Sequence, residues 1–444
     1  MRLNRTHVTE GPVGPTLIRL TLPMVGGILT IMLFNTVDTF FIARLGPEPL
    51  AAIGFTFPVV FVVTGTTMGL GIGMASVVSR AVGEGDHQGV AEITSRGLVL
   101  VALIVLVFVI VGLTLHDRLF ALLGADEALI GLIRQYMVPW FMGVIFLVLP
   151  MIGNSALRAT GDSFTPSLIM IIAGGVNVIL DPLLIFGLGP FPRLELQGAA
   201  LATVLSYLVT FAAASWILVR RERMIVVEMP AFAELFRTWS RLLHIGVPAV
   251  CTNLLIPLTT GILTRIMASY GPHAVAAFGV CVRIESLVMV GAFALSTMMV
   301  PFAGQNFGAG RADRVHAGLR FGLRYCFVIS LTVWALLALS ARTIADWFTA
   351  DPAIADILVP FLQFVPLSYA GFGYMLLVTS SFNGTGRPRH AMLLFGGRLI
   401  GFTVPLAFLG SWVAGIPGVF AAMFLANIAS GLFAQWLKTK SLTG

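Results

Sequence analysis

The sequence predicts an all-α polytopic membrane protein, with twelve transmembrane helices in two parallel six-helix bundles around a central cavity. Three observations predict it. Hydrophobic residues fill 57% of the 444 positions and only 11% are charged, less than half the charge of an ordinary soluble domain, which argues against a soluble enzyme. The apolar positions fall in runs of about twenty or more, the length a helix needs to cross a bilayer. The two halves of the chain also repeat each other at a constant offset of 225 residues.

Apolar stretches between charged or Gly/Pro punctuation place helices at 17–43, 50–79, 91–115, 128–152, 163–187, 198–219, 241–269, 274–303, 315–339, 353–379, 389–413 and 417–437. The first run is too long for a signal-peptide core, contains Pro23 and carries Asp38, so it reads as retained rather than cleaved. In the second, Gly69-Leu-Gly71-Ile-Gly73 follows no strand and precedes no Lys-Ser/Thr, so it reads as a surface for close helix packing and not as a nucleotide loop. Cys251, Cys281 and Cys326 lack metal-site or disulfide spacing and read as small hydrophobic residues. The longest polar stretch lies at mid-chain and reads as a cytoplasmic linker, 220–240, between an N-terminal lobe 1–219 and a C-terminal lobe 241–444. The net charge of +7 does not point to nucleic acid, because the basic residues sit in short loops. Nineteen Lys and Arg fall on the side of the termini against five on the other, so both termini are expected in the cytoplasm of a multi-pass inner-membrane protein.

The repeat pairs Pro23 with Pro248, Gly46 with Gly271, Ala51-Ala52 with Ala276-Ala277, Gly85 with Gly310 and Gly161 with Gly386. Later the offset becomes 220, Gly198 pairing with Gly418. Because six spans is an even number, both copies start on the same side and are parallel repeats about an axis along the membrane normal. Halves of this kind suit alternating-access transport.

Among the acidic residues only Asp38, Asp181 and Glu285 fall inside predicted spans. An ionised carboxylate there costs about 2.5–3.5 kcal/mol, so each needs a reason to exist. Asn35 and Asp38 share a face of the first helix, and Asn177 and Asp181 share a face of the fifth. Pro182 has no N–H to give the carbonyl of Val178, and Thr203 of the sixth helix adds a hydroxyl. Such oxygens can hold a small hard cation, or the two carboxylates can share a proton; both are coupling-ion sites, and a structural polar cluster is the alternative. At the 225 offset Asp38 meets Leu263 and Asp181 meets Leu406, so the second copy lacks the pocket. Glu285 and Arg283 are candidate substrate or gating residues, with Arg265 and Arg398 as further intramembrane cations. Residues i and i+2 on a helix do not face each other, so Glu285 is expected to pair with a basic residue of another helix. Pro23 is a candidate hinge in the first helix.

The runs "FNTVDTFFIARLGPEPLAAIGF" and "ASYGPHAVAAFGV", the stretch "GQNFGAGR", and "NSALRATGD" against "SSFNGTGRP" resemble the multidrug and toxic compound extrusion (MATE) family over residues 15–437. Asp38 with Asn177 and Asp181 resembles the DinF-like branch, in which these positions are taken to bind the coupling cation. The NorM-like branch relies also on carboxylates in helices 7 and 10, where this chain offers only Asp356. The resemblance implies no enzyme, no cofactor beyond H⁺ or Na⁺ as coupling ion, and no nucleic-acid partner. It implies a monomer in membrane lipid that exports small organic, cationic or amphipathic compounds by antiport. A flippase for lipid-linked precursors from the same superfamily is the alternative. An intramembrane aspartyl protease would need a GxGD motif, which neither Asp38 nor Asp181 has.

Overall fold

The computed structural model describes residues 8–226 and 230–441, and among these it is all-helical, without a strand. The first six spans are α1 (Val13–Ala43), α2 (Pro47–Glu84), α3 (His87–Thr114), α4 (Glu127–Ala159), α5 (Phe164–Phe186) and α6 (Glu195–Trp216). A π-helical turn, Ile217–Arg221, ends α6. Then come α7 (Phe232–Ala268), α8 (Pro272–Val288 and Val290–Gly308, bent by 49°) and α9 (Ala312–Leu339). The span α10 runs from Pro352–Phe364 through a 3₁₀ turn to Tyr369–Gly384. The last helical run, Pro388–Ser441, is two spans, α11 (388–413) and α12 (416–441): Ala414 and Gly415 leave helical geometry, and Gly410 and Gly418 then meet backbone to backbone. Residues eight apart in a straight helix would stand about 12 Å apart, so the chain turns back on itself there.

The duplication extends to the ends of the elements. Adding 225 to the bounds of α3 and α4 yields those of α9 and α10. Two short helices unforeseen in the hydropathy reading, His116–Leu122 and Ala341–Phe348, also start 225 residues apart. Gly85 and Gly310 hold φ of 77° and 71°, and Gly161 and Gly386 hold 90° and 76°. A side chain at those positions would strain the left-handed turn that ends each helix.

By contacts the chain divides into two compact units, one of residues 22–250 and the other of residues 8–21 with 251–441. This differs from lobes 1–219 and 241–444 joined by a linker 220–240. The first half of α7 belongs to the first unit, and the first turns of α1 belong to the second. Helix α7 begins at Phe232, so half of the expected linker is helix. Its polar start is pinned to α3, where Trp239 Nε1 donates to the Arg96 carbonyl at 2.9 Å and Glu234 pairs with Arg96 at 2.9 Å. A few residues on, α7 lies against the glycine run of α2. A Cβ on Gly69 would overlap Val250, and one on Gly73 would sit 2.7 Å from the Leu242 carbonyl oxygen. In the second unit the buried Arg314 of α9 donates to the carbonyls of Glu10 and Gly11 at 2.9 and 2.8 Å. Both crossing points, Thr21/Leu22 and Val250/Cys251, fall within a few residues of Pro23 and Pro248. Helix α1 nevertheless continues unbroken through Pro23.

Candidate functional site

In the first unit α1 and α5 run side by side in parallel register. Ser167 Oγ meets Met24 Sδ at 3.4 Å, Gly27 faces Met170, Gly174 faces Thr30, and Phe41 meets Phe186 edge-on at 6.1 Å. These pairs are all 143 to 145 residues apart, so the same register sets Asp38 level with Asp181. The small residues Gly27 and Gly174 let the backbones approach. Helices α4 and α6 are likewise parallel, with Gly143 against Val204 and Phe146 5.3 Å from Phe211.

Three helices then each direct a pair of residues one turn apart at the same place. Helix α5 supplies Asn177 and Asp181, α6 supplies Thr203 and Tyr207, and α4 supplies Tyr136 and Trp140. Asn177 Nδ2 donates to Thr203 Oγ1 at 3.4 Å. Tyr136 faces Thr203, Asp38 and Asp181, while Tyr207 faces Trp140 and Asp38. Asp181 is fully buried, Asn177 and Thr203 nearly so, and Asp38 is half-buried. Neither oxygen of Asp181 accepts a hydrogen bond, nor do Oδ1 of Asp38 and Oδ1 of Asn177. Among the described residues no basic side chain pairs with either carboxylate, whose electrostatic neighbour is the other carboxylate. With the Val178 carbonyl freed by Pro182, this is a set of uncommitted oxygens with acidic charge and no cation.

Of the residues singled out from sequence, Asp38, Asn177, Asp181 and Thr203 converge. Asn35 does not share their burial: it is exposed on α1. Tyr136, Trp140 and Tyr207 are not among the residues the sequence singles out, and no local signal marks them, since Tyr325, Tyr369 and Tyr374 stand in apolar runs as well. Among the described residues no group of three or more His, Cys, Asp or Glu could hold a metal ion.

The second unit carries a different cluster. Arg398 lies in a π-helical turn of α11, Gly397–Thr403, where the matching stretch of α5 (172–178) is regular α-helix. Its guanidinium carbon sits 3.6 Å over the Phe372 ring, and Nη2 donates to Asn427 Oδ1 at 3.2 Å. Asn427 Nδ2 donates in turn to Ser368 Oγ at 2.9 Å. Glu285 Oε2 accepts from Tyr369 at 3.4 Å and faces Arg398 without a direct ion pair. The expected partner on another helix is thus Arg398 at longer range, with tyrosine making the bond. Arg283 and Arg265 are exposed, and Arg283 takes no part in the cluster. Asp346 and Asp356 pair with Arg342 at the surface, at 3.2 and 3.4 Å, and Asp351 caps α10 through the Ala353 N–H. The three cysteines are free; Cys281 and Cys326 are buried and Cys251 is exposed.

The MatE family model matches this chain twice, over residues 23–183 and 248–409, again 225 residues apart at their start. A FAD transporter of Shewanella oneidensis is 37% identical over 98% of this chain and 96% of its own length. A probable multidrug resistance protein of Bacillus subtilis, YoeA, is 27% identical over 90% of this chain and 88% of its own. Among solved structures, the Vibrio cholerae MATE transporter VcmN in its bent form superposes with a TM-score of 0.92 at 29% identity, covering 97% of both chains.

Proposed function

Since the chain belongs to the MatE family, a family of transporters rather than enzymes, we propose that it is a secondary antiporter exporting organic compounds in exchange for H⁺ or Na⁺, with Asp38 and Asp181 as the coupling-ion site. The observation that carries this reading is the fully buried Asp181, whose oxygens lack any donor and whose charged neighbour is Asp38. A structural glue between α1 and α5 would satisfy its own hydrogen bonds, because an unpaired polar group in a dry interior is costly. An exchange site has to leave them open for the ion. Substrate export runs by alternating access, which the parallel duplication suits. The charge bias of nineteen against five supports cytoplasmic termini in the cell membrane. Gradient-driven uptake of a fluorescent organic cation into everted vesicles, which present the cytoplasmic face outward, tests the coupling when ΔpH and a Na⁺ gradient are imposed separately. Efflux indifferent to both gradients removes the reading, and gradient-independent movement of a labelled lipid precursor would favour a flippase.

A second reading of the cargo is favoured by one observation. The relative from Shewanella is named a FAD transporter, and this chain holds a half-buried guanidinium stacked on Phe372, a partner for planar anions rather than for cationic drugs. Under this reading the exported compound is a flavin nucleotide, and the coupling site is unchanged.

A further inference from the structure

The coupling-ion reading uses nothing in the second unit, yet that unit keeps an arginine about ten residues, or roughly 15 Å, into α11. A charge at that depth is expensive, and this one is not neutralised by direct contact. One face of the guanidinium is stacked on Phe372, one edge is held by the neutral Asn427 carbonyl, and Nε–H has no acceptor. The Nε atom itself is buried, and an N–H left there without an acceptor is costly. The neighbouring polar groups are engaged elsewhere, Asn427 Nδ2 with Ser368 and the Tyr369 hydroxyl with Glu285.

From this cluster we infer that Arg398, with Phe372 and Asn427, forms a substrate subsite that takes the phosphate of a planar aromatic compound of the flavin-nucleotide class. The inference rests on the transport reading and names the residue that selects the cargo. A guanidinium offers parallel N–H bonds along one edge, the geometry of a phosphate or carboxylate, and its free face accepts a second aromatic ring. Phe293 stands edge-on to Phe372 at 6.5 Å and continues the aromatic wall. Glu285 faces Arg398 from α8 and balances its charge while no anion is bound. The α-to-π change at Gly397–Thr403 is what sets this second-unit cluster apart from α5, because a π turn re-aims side chains and recurs at functional sites. The depth of Arg398 favours a diffusible nucleotide over a lipid headgroup, whose phosphate stays at the interface.

The test is binding of FMN, riboflavin and ethidium to the purified full chain in phosphatidylcholine nanodiscs, read by fluorescence. Wild type is expected to bind FMN at least tenfold more tightly than riboflavin, which lacks the phosphate. Arg398→Gln should weaken FMN about 10- to 100-fold, make FMN and riboflavin equal, and leave ethidium unchanged. Unchanged ethidium binding also reports a folded protein. If Arg398→Gln does not fold, Phe372→Leu keeps the apolar volume and should weaken FMN several-fold more than ethidium. Wild-type FMN affinity in both variants overturns the inference, as does equal binding of FMN and riboflavin by wild type. Loss of FMN binding in phosphatidylglycerol discs, reversed by Arg398→Gln, would assign the guanidinium to a lipid and overturn it too. The transport reading fails separately: gradient-driven efflux intact in Asp38→Asn would sink the coupling site while the Arg398 binding result stands.

Discussion

Asp181→Asn exchanges a carboxylate for an amide of the same shape at a fully buried position on α5. A monovalent cation about 3 Å from one carboxylate gains roughly 5.5 kcal/mol at an effective dielectric constant near 20. The ionised carboxylate costs about 2.5–3.5 kcal/mol to keep at this depth, a cost the amide avoids. The net loss of ion affinity is therefore about 2–3 kcal/mol, or 30- to 160-fold. The same arithmetic gives a stability effect of opposite sign: with the site empty, neither Asp181 oxygen has a hydrogen bond to lose, so the variant should melt at the same temperature or a few degrees higher. Uptake of a fluorescent cation into everted vesicles reads the coupling, and a thermal-shift scan of the purified protein reads the stability. Gradient-dependent efflux at the wild-type level would refute the coupling argument. A drop of several degrees in melting temperature would instead identify Asp181 as helix glue.

Asn177→Ala, which removes the amide bonded to Thr203, should reduce gradient-driven efflux at least tenfold, whereas Asn35→Ala on the exposed side of α1 should leave it within about twofold; equal effects in the vesicle assay would contradict the placement of the pocket. Joint replacement of Asp346, Asp351 and Asp356 by Asn should leave the ion-to-substrate ratio unchanged, because these groups are engaged in surface pairs and a helix cap; a stoichiometry measured by reversal potential checks it. Gly69→Leu, which drives a side chain into the Val250 backbone, should destabilise the first unit by about 1–3 kcal/mol and lower the yield of monodisperse protein in size-exclusion chromatography. Pro23→Ala supplies the N–H that the Arg19 carbonyl lacks, and should slow turnover while sparing cation binding; cysteine accessibility along α1 that responds to pH as in wild type would end the hinge idea.

The residues themselves determined the number of spans, the duplication and the acidic pair. Charge in hydrocarbon is so costly that Asp38 and Asp181 stand out of an apolar chain without any coordinates, and glycines such as Gly85 and Gly310 mark turns that only glycine enters easily. The start of α7 was hidden for the same reason in reverse: 232–240 is polar and reads as linker, although Trp239 and Glu234 bind it to α3 as helix. Tertiary structure alone decided that α1 and α5 lie in a register that levels Asp38 with Asp181, that Asn35 stays exposed while Asn177 and Thr203 are buried, and that Tyr136, Trp140 and Tyr207 stand beside the acidic pair. It alone brought Arg398, Phe372 and Asn427 together from three helices. Hydropathy is a property of each side chain in its solvent and can be read one residue at a time. Convergence depends on which faces of helices more than a hundred residues apart can approach, and that is set by small contacts such as Gly27 on Met170 and Gly174 on Thr30, which exist only once the helices have packed.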